Sequence, residues 1–237
     1  VCSSDLVGSR FWPYSKEDKP KQFLDFFGSG NSLLQSTFNR FKKIVPTENI
    51  YIVTNDVYAE MTKKQLPEIS DNQLLLEPMR RNTAPAIAFA SYRIKAVNPD
   101  ANIIVAPSDH LIINEDQFVA DMNKGLEFVN DKKVLLTLGI KPSRPETGYG
   151  YIQVNEEGKD GIHKVKAFTE KPNLELATKF VESGEFLWNS GIFLWNVNSI
   201  IDAIRLYLPD MYQRFNEGKD LFNTPGRSEE HTSELQS

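Results

Sequence analysis

Basic side chains near the start of the chain have the spacing of a phosphate site. The segment Gly8-Ser9-Arg10 is followed a short distance later by Pro20-Lys21. Gly8 permits an anion to approach the backbone closely, and the amides of such a loop can cradle phosphate. The Arg10 guanidinium can place two N–H groups on phosphate oxygens, whereas the Lys21 ammonium acts as a mobile point charge. Gly-x-Arg alone usually marks an ordinary turn, but its combination with Pro-Lys is far more specific for a phosphate site.

A carboxylate follows one of the apolar runs. The β-branched run Asn102–Ala106 leads into Pro107-Ser108-Asp109-His110. A carboxylate at the end of a parallel strand suits Mg²⁺, which takes one or two carboxylates together with phosphate oxygens. The alternative for Asp109 is a helix or turn cap, and His110 is interpreted as a structural hydrogen-bonding residue.

A second polar cluster precedes a predicted helix. Glu77 ends an apolar run, and two arginines and Asn82-Thr83 follow before the helical pattern Ala84–Val97 begins. The alternative role for Thr83 is the helix N-cap. Glu77 and Asn82 offer an acceptor and donors for the edge of an aromatic base.

Three later stretches carry groups that suit a sugar phosphate. Glu170 and Asn189 could hold sugar hydroxyls, Lys171 could pair with a phosphate, and Gly148 would let a ring approach the backbone. The alternatives are an exposed charge pair before a proline, an aromatic core strand and a glycine turn.

Alternating strands and helices must position these groups. Through the first two thirds of the chain, short β-branched runs alternate with helical patterns, which argues for βαβ units. We predict a Rossmann-like α/β fold with a mixed, mostly parallel sheet flanked by helices. A small antiparallel excursion follows, in which Asn155–Gly161 forms the turn between two strands. In such sheets, ligands bind at the carboxyl ends of the strands.

Both ends of the chain read as foreign sequence. Val1–Leu6 and Arg227–Ser237 resemble translated sequencing-adapter DNA, so residues 1–6 and 227–237 are interpreted as non-native scars. Residues 7–226 then form one catalytic domain that is truncated at both ends. On this interpretation, scar sequence up to Leu6 replaces the natural first strand.

Composition excludes several classes of protein. With 27 Lys and Arg against 32 Asp and Glu, the net charge of −5 does not fit a general nucleic-acid binder. No apolar run approaches the ~18 residues of a membrane span, and a single Cys permits no disulfide framework. We expect a cytoplasmic protein. The Gly-Lys pairs lack the P-loop pattern, and Gly28-Ser29-Gly30 lacks the third glycine of a dinucleotide site.

Six motifs in order along the chain resemble those of the mannose-1-phosphate guanylyltransferases, within the sugar nucleotidyltransferase family. They are GSRFWP with PKQF from Gly8, RNTAPAI at Arg81–Ile87, APSDH at Ala106–His110, ETGYGYI at Glu146–Ile152, FTEKP at Phe168–Pro172 and WNSGIF at Trp188–Phe193. The resemblance implies transfer of GMP from GTP to mannose 1-phosphate with release of pyrophosphate.

The resemblance also implies roles for individual residues. Arg10 and Lys21 would bind and polarise the triphosphate, and Asp109 would ligate Mg²⁺. The nucleotide set would further include Gly8, Ser9, Glu77, Asn82 and Thr83, whereas mannose 1-phosphate would contact Gly148, Glu170, Lys171 and Asn189. Relatives have a second metal-binding Asp and a β-rich region beyond the end of this chain. The alternatives are a uridylyl- or thymidylyltransferase and an inactive nucleotide-sugar-binding fragment; a homo-oligomer remains an option.

Overall fold

The computed structural model describes residues 2–3, 14–16, 20–77 and 83–218. The chain divides into two compact units. The first comprises Val1–Leu136 and Leu194–Ser237, and the second comprises Thr137–Phe193. Two strands, β5 (Leu135–Ile140) and β8 (Phe186–Asn196), run from one unit into the other along the chain.

The first unit contains a parallel sheet. Its strands are β1 (Cys2–Ser3), β2 (Ile52–Asn55), β3 (Leu74–Glu77) and β4 (Asn102–Pro107), in the order β3-β2-β1-β4. The pairs β1–β2, β1–β4 and β2–β3 are all parallel. The last residues of β8 lie beside β4, where the Asn196 side chain donates to Asn102 Oδ1 at 3.2 Å. β2 is buried along its whole length because it lies inside the sheet.

The first strand of the sheet, β1, consists of residues from the segment interpreted as a non-native scar. Cys2 pairs with Ile52 on one side and with Ala106 on the other, so the place between β2 and β4 is filled. A strand ladder is built from backbone N–H and C=O groups, so two residues of almost any type can complete it.

Helices flank this sheet. They are α1 (Leu33–Phe41), α2 (Ala59–Gln65), α3 (Thr83–Val97), α4 (Glu115–Asn130), α6 (Val197–Tyr207) and α7 (Pro209–Glu217). Ser32 caps α1 through a capping box with Gln35, and α1 buries Leu34, Phe38 and Phe41. The helical pattern extends to Val45, but α1 ends at Phe41. The chain turns before Pro46, because the residue before a proline disfavours helical backbone.

The second unit is built on an antiparallel sheet. β6 (Tyr151–Lys159) pairs with β7 (Ile162–Thr169) on one side and with β8 on the other. Helix α5 (Leu174–Ser183) packs its Ala177 against Tyr151 and Trp188. The prediction of a turn over Asn155–Gly161 is wrong, because β6 continues to Lys159. The turn consists of Asp160 and Gly161, with φ angles of 56° and 75° that match a two-residue hairpin turn.

The predicted α/β class, with a mostly parallel sheet and an antiparallel excursion, is confirmed. Within residues 20–77 and 83–218, no helix has both the length and the apolar character needed to cross a membrane.

Candidate active site

Lys21 and Asp109, the two charged residues predicted to handle phosphate and metal, meet in the first unit. Lys21 begins a short 3₁₀ turn after Pro20, and Asp109 lies two residues beyond the end of β4. The Lys21 ammonium forms an ion pair with the Asp109 carboxylate, and the two side chains are 18% and 16% exposed. The pair therefore lies at the carboxyl edge of the parallel strands, where open α/β sheets bind ligands.

A hydrogen-bond network holds the turn that carries Lys21. Gln65, the last residue of α2, donates from Nε2 to the Phe23 carbonyl at 3.0 Å. The Ser32 hydroxyl donates to Gln65 Oε1 at 2.6 Å, and Gln35 Nε2 donates to the Gln65 carbonyl at 3.0 Å. The start of α1 and the end of α2 thus position the Lys21 turn together.

The Asp109 segment, residues 108–114 between β4 and α4, is also attached to α1. The Thr37 hydroxyl donates to the Ser108 carbonyl at 3.2 Å, in a buried environment. One turn later, Arg40 Nε donates to Glu115 Oε1 at 3.2 Å, and Lys43 Nζ lies 2.7 Å from Glu115 Oε2. Glu115 is the first residue of α4, so α1 contacts the Asp109 segment near both of its ends.

The histidine beside Asp109 is kept neutral. Burial lowers the pKa of His110; the Asp109 carboxylate opposes this effect, and the Lys21 and Arg40 cations add to it. At neutral pH the imidazole therefore adds no positive charge beside the ion pair.

Of the residues predicted to face a base, the structure describes Glu77 and Thr83. Glu77 ends β3 and is only 1% exposed, and its carbonyl accepts from Asn55 Nδ2 at 3.1 Å. Thr83 is exposed and is the first residue of α3. Asn82 lies outside the described residues, as do Gly8, Ser9 and Arg10 in the predicted phosphate loop. The predicted roles of these six residues remain predictions.

In the second unit, Glu170 and Asn189 lie beside Gly150, and these three residues form what we call the Gly150 cluster. The Gly150 carbonyl accepts a hydrogen bond from the backbone N–H of Asn189 at 2.8 Å. A Cβ atom built on Gly150 would lie 2.9 Å from Glu170 Oε2 and 3.5 Å from the Asn189 Cβ, so the Glu170 carboxylate covers this glycine. Asn189 is oriented by the Gly191 amide, which donates to its Oδ1 at 3.0 Å. Two residues predicted to contact the sugar therefore lie next to each other.

The other two predicted sugar-phosphate residues lie in the loops beside this cluster. The Gly148 amide donates to Glu146 Oε1 at 3.1 Å, and this bond, together with Arg144, lowers the pKa of the Glu146 carboxyl. Lys171 Nζ lies 3.2 Å from Glu170 Oε1, with both side chains largely exposed. Lys171 has a φ of 41°, an uncommon value for a residue with a side chain, where backbone strain is stored.

Within the described residues, no three His, Cys, Asp or Glu side chains are grouped for a metal ion. Asp109 offers a carboxylate beside the cationic Lys21. This donor set fits Mg²⁺ held largely by substrate phosphate oxygens and water, because Mg²⁺ commonly takes only one or two protein carboxylates at such sites.

Comparison with known proteins identifies the family. The model of the nucleotidyl transferase family matches residues 7–224. The chain belongs to this family. The chain is 38% identical over 219 residues to a mannose-1-phosphate guanylyltransferase of Escherichia coli, and the match covers 89% of this chain and 47% of that protein. It is 39% identical over 223 residues to the xanthan biosynthesis protein XanB of Xanthomonas campestris pv. campestris, which covers 92% of this chain and 47% of that protein.

A solved structure supports the fold assignment. The crystal structure described as mannose-1-phosphate geranyltransferase from Thermus thermophilus matches with a TM-score of 0.85 and 27% identity. The match covers 99% of this chain and 66% of the solved one. The chain spans about half the length of the curated relatives it matches.

Sequence reasoning missed several residues that support this site. Thr37 and Gln65 carry no chemistry of their own and act by donating to backbone carbonyls. In the sequence, Gly150 stands out only as part of the ETGYGYI motif, although its missing side chain is what admits the Glu170 carboxylate. The available signal is helical spacing: Thr37 follows Leu34 by three positions and precedes Phe41 by four, which places it on the apolar side of α1.

Proposed function

We propose that this nucleotidyltransferase transfers GMP from GTP to α-D-mannose 1-phosphate, which yields GDP-mannose and pyrophosphate. The observation that carries the proposal is the Lys21–Asp109 pair at the carboxyl edge of the parallel sheet, in a chain that belongs to the nucleotidyl transferase family. Guanine and mannose are chosen because a relative named mannose-1-phosphate guanylyltransferase matches at 38% identity over most of this chain.

The reaction needs little acid–base chemistry from the protein. A phosphate oxygen of mannose 1-phosphate attacks the α-phosphorus of GTP, while the bond from the α-phosphorus to the bridging oxygen breaks and pyrophosphate departs with that electron pair. A phosphomonoester has a second pKa near ~6, so the nucleophile is mostly dianionic at neutral pH. The site must therefore screen two anions from each other and stabilise the departing charge.

Lys21 supplies the cation for that task. In the structure its ammonium is neutralised by Asp109, so an incoming triphosphate would compete for Lys21 and leave the carboxylate available for a metal ion. Mg²⁺ held by Asp109 and phosphate oxygens would stabilise negative charge on the triphosphate. Because Lys21 is bound to Asp109 before substrate arrives, the side chain starts in an ordered position.

In the second unit, the Gly150 cluster would bind mannose 1-phosphate. The Glu170 carboxylate can accept hydrogen bonds from sugar hydroxyls, and the side-chain NH₂ group of Asn189 can donate to them. Lys171, which is 62% exposed, carries the positive charge that a sugar phosphate requires. Asn189 is already fixed by the Gly191 amide, which reduces the entropy lost when a sugar binds.

The test is a matrix of nucleotide and sugar phosphate. Pyrophosphate release is measured with GTP, UTP or dTTP, each combined with mannose 1-phosphate or glucose 1-phosphate in the presence of Mg²⁺. We expect the GTP and mannose 1-phosphate pair to have the highest kcat/KM. Lys21→Ala should lower it by about 10²- to 10³-fold, the loss typical when a charge-stabilising group is removed.

Lys63→Ala is the matched control, because Lys63 pairs with Asp71 on the surface at 2.9 Å. A surface ion pair contributes about 0–1 kcal/mol, so this variant should keep its activity. Preference for UTP or dTTP would overturn the assignment of guanine. Binding of GTP–Mg²⁺ by calorimetry without turnover of any pair would instead identify a nucleotide-binding fragment.

A further inference from the structure

We propose that Thr37 is a positioning residue for this reaction and sets the Asp109 carboxylate opposite Lys21. The inference rests on the proposed function for its catalytic consequence. Its structural basis is the hydrogen bond from the Thr37 hydroxyl to the carbonyl of Ser108, the residue directly before Asp109.

The bond lies where a small displacement would matter. Thr37 and Ser108 are each 1% exposed, whereas the Asp109 side chain is 16% exposed. The anchor is therefore fully buried, and the carboxylate that it positions is partly exposed. The peptide between Ser108 and Asp109 connects them directly, so a shift of the Ser108 carbonyl moves the carboxylate.

Helix α1 links the two members of the ion pair. Through Gln65, its first turn holds the Phe23 carbonyl in the turn that begins at Lys21. Its middle holds the Asp109 segment through Thr37. One rigid helix thus sets both the cation and the carboxylate, and Thr37 is its attachment on the carboxylate side.

Arg40 does not replace this attachment. Its bond to Glu115 fixes the start of α4, six positions after Asp109, and its guanidinium also lies 5.8 Å from the Phe118 ring centre. Arg40 therefore holds α4 against α1, while the residues between Ser108 and Asn114 include no helix or strand of their own. In Thr37→Val, this segment would lose the Thr37 bond directly before Asp109 and keep the more distant bond between Arg40 and Glu115.

The experiment compares three variants of the 237-residue chain. Thr37→Val removes the hydroxyl at nearly constant volume, and Thr37→Ser restores it. Thr62→Val is the matched control: Thr62 is also fully buried, and its hydroxyl donates to a backbone carbonyl, that of Tyr58 at 2.9 Å, within its own helical segment. Both valine variants should lose about 2–4 °C in Tm, the shift that one lost hydrogen bond produces in a chain of this size.

Kinetics then separate positioning from stability. Thr37→Val should lower kcat by about 10- to 100-fold, with a much smaller change in KM for GTP, because a displacement near 1 Å can cost about 10²-fold in rate. Thr37→Ser should recover most of this loss, and Thr62→Val should retain its kcat. Equal kcat values for Thr37→Val and Thr62→Val would overturn the proposal.

Amide hydrogen exchange provides a readout that does not require turnover. Thr37→Val should speed exchange in the segment 108–113 relative to both the wild type and Thr62→Val. Unchanged exchange there would overturn the positioning role even in an active enzyme. If no nucleotide and sugar phosphate pair reacts, the proposed function fails, and faster exchange in Thr37→Val still supports the structural anchor.

Discussion

Adding one methyl group at Gly150 should separate sugar binding from folding. The Cβ of Gly150→Ala would lie 2.9 Å from Glu170 Oε2, closer than Cβ atoms approach other groups, so the carboxylate must move. Glu170 is 71% exposed and can rotate into solvent at little cost. We therefore expect the free energy of unfolding to change by less than about 0.5 kcal/mol, as at ordinary surface positions.

The functional cost should be much larger. If the Glu170 carboxylate accepts a hydrogen bond from mannose, its displacement removes a bond to a charged group, worth about 1.5–3 kcal/mol. At about 1.4 kcal/mol for each tenfold change, kcat/KM for mannose 1-phosphate should fall by about 10- to 150-fold. The KM for GTP should stay close to its original value.

A double-mutant cycle supplies the control for this prediction. The assay is initial-rate pyrophosphate release by the wild type, Gly150→Ala, Glu170→Ala and the double variant. If the methyl group acts through Glu170, Gly150→Ala should have almost no effect when Glu170 is already alanine. An undiminished effect in that background would refute the reasoning, since the methyl group would then act on the backbone or on Asn189.

Three further predictions concern stability. Ser32→Ala removes the cap of α1 and the bond to Gln65, so the free energy of unfolding in urea should fall by about 1–2 kcal/mol; a loss below about 0.3 kcal/mol would contradict it. Gly184→Ala should cost about 1–2 kcal/mol, because Gly184 ends α5 with a φ of 72°, and Gly184→Asn should cost less; equal costs would argue against backbone strain as the cause. Burial raises the pKa of Tyr92 to about 12, so the stability that the neutral Tyr92 hydroxyl contributes should be fully present below pH 10 and be lost between pH 10 and 12. Over that window, Tyr92→Phe should lose less of its free energy of unfolding than the wild type. The same decline with pH in both proteins would disprove this.

Elements with clear local signals matched their predicted bounds. The sequence predicts a short strand over Leu74–Glu77 and a helix over Leu174–Ser183, and both elements have these bounds in the structure. The helix lies between an asparagine N-cap and a left-handed glycine, which are strong local signals. By contrast, the end of β6 is predicted as a turn, because residues 155–161 are all polar or glycine. Gly158 and Lys159 form a strand only because they pair with β7.

The sequence indicates which charged residues of the candidate site to consider, but not which residues hold them in place. The sequence motifs indicated Lys21 and Asp109, and the structure pairs them. No pattern of side chains could indicate that Thr37 would bond to Ser108, because the acceptor is a carbonyl that every residue possesses. The roles of all the predicted site residues, the binding of Mg²⁺ and the cytoplasmic location remain predictions.

The contacts that support the Asp109 segment also bear on when activity can emerge during folding. Thr37 and Ser108 are 71 residues apart in the chain, and Arg40 and Glu115 are 75 apart. Contacts of such long range close late, whereas the two-residue turn between β6 and β7 can form early. We therefore expect the catalytic rate to recover in the slowest refolding phase, after most secondary structure has formed, so enzyme activity should be a stringent measure of complete folding.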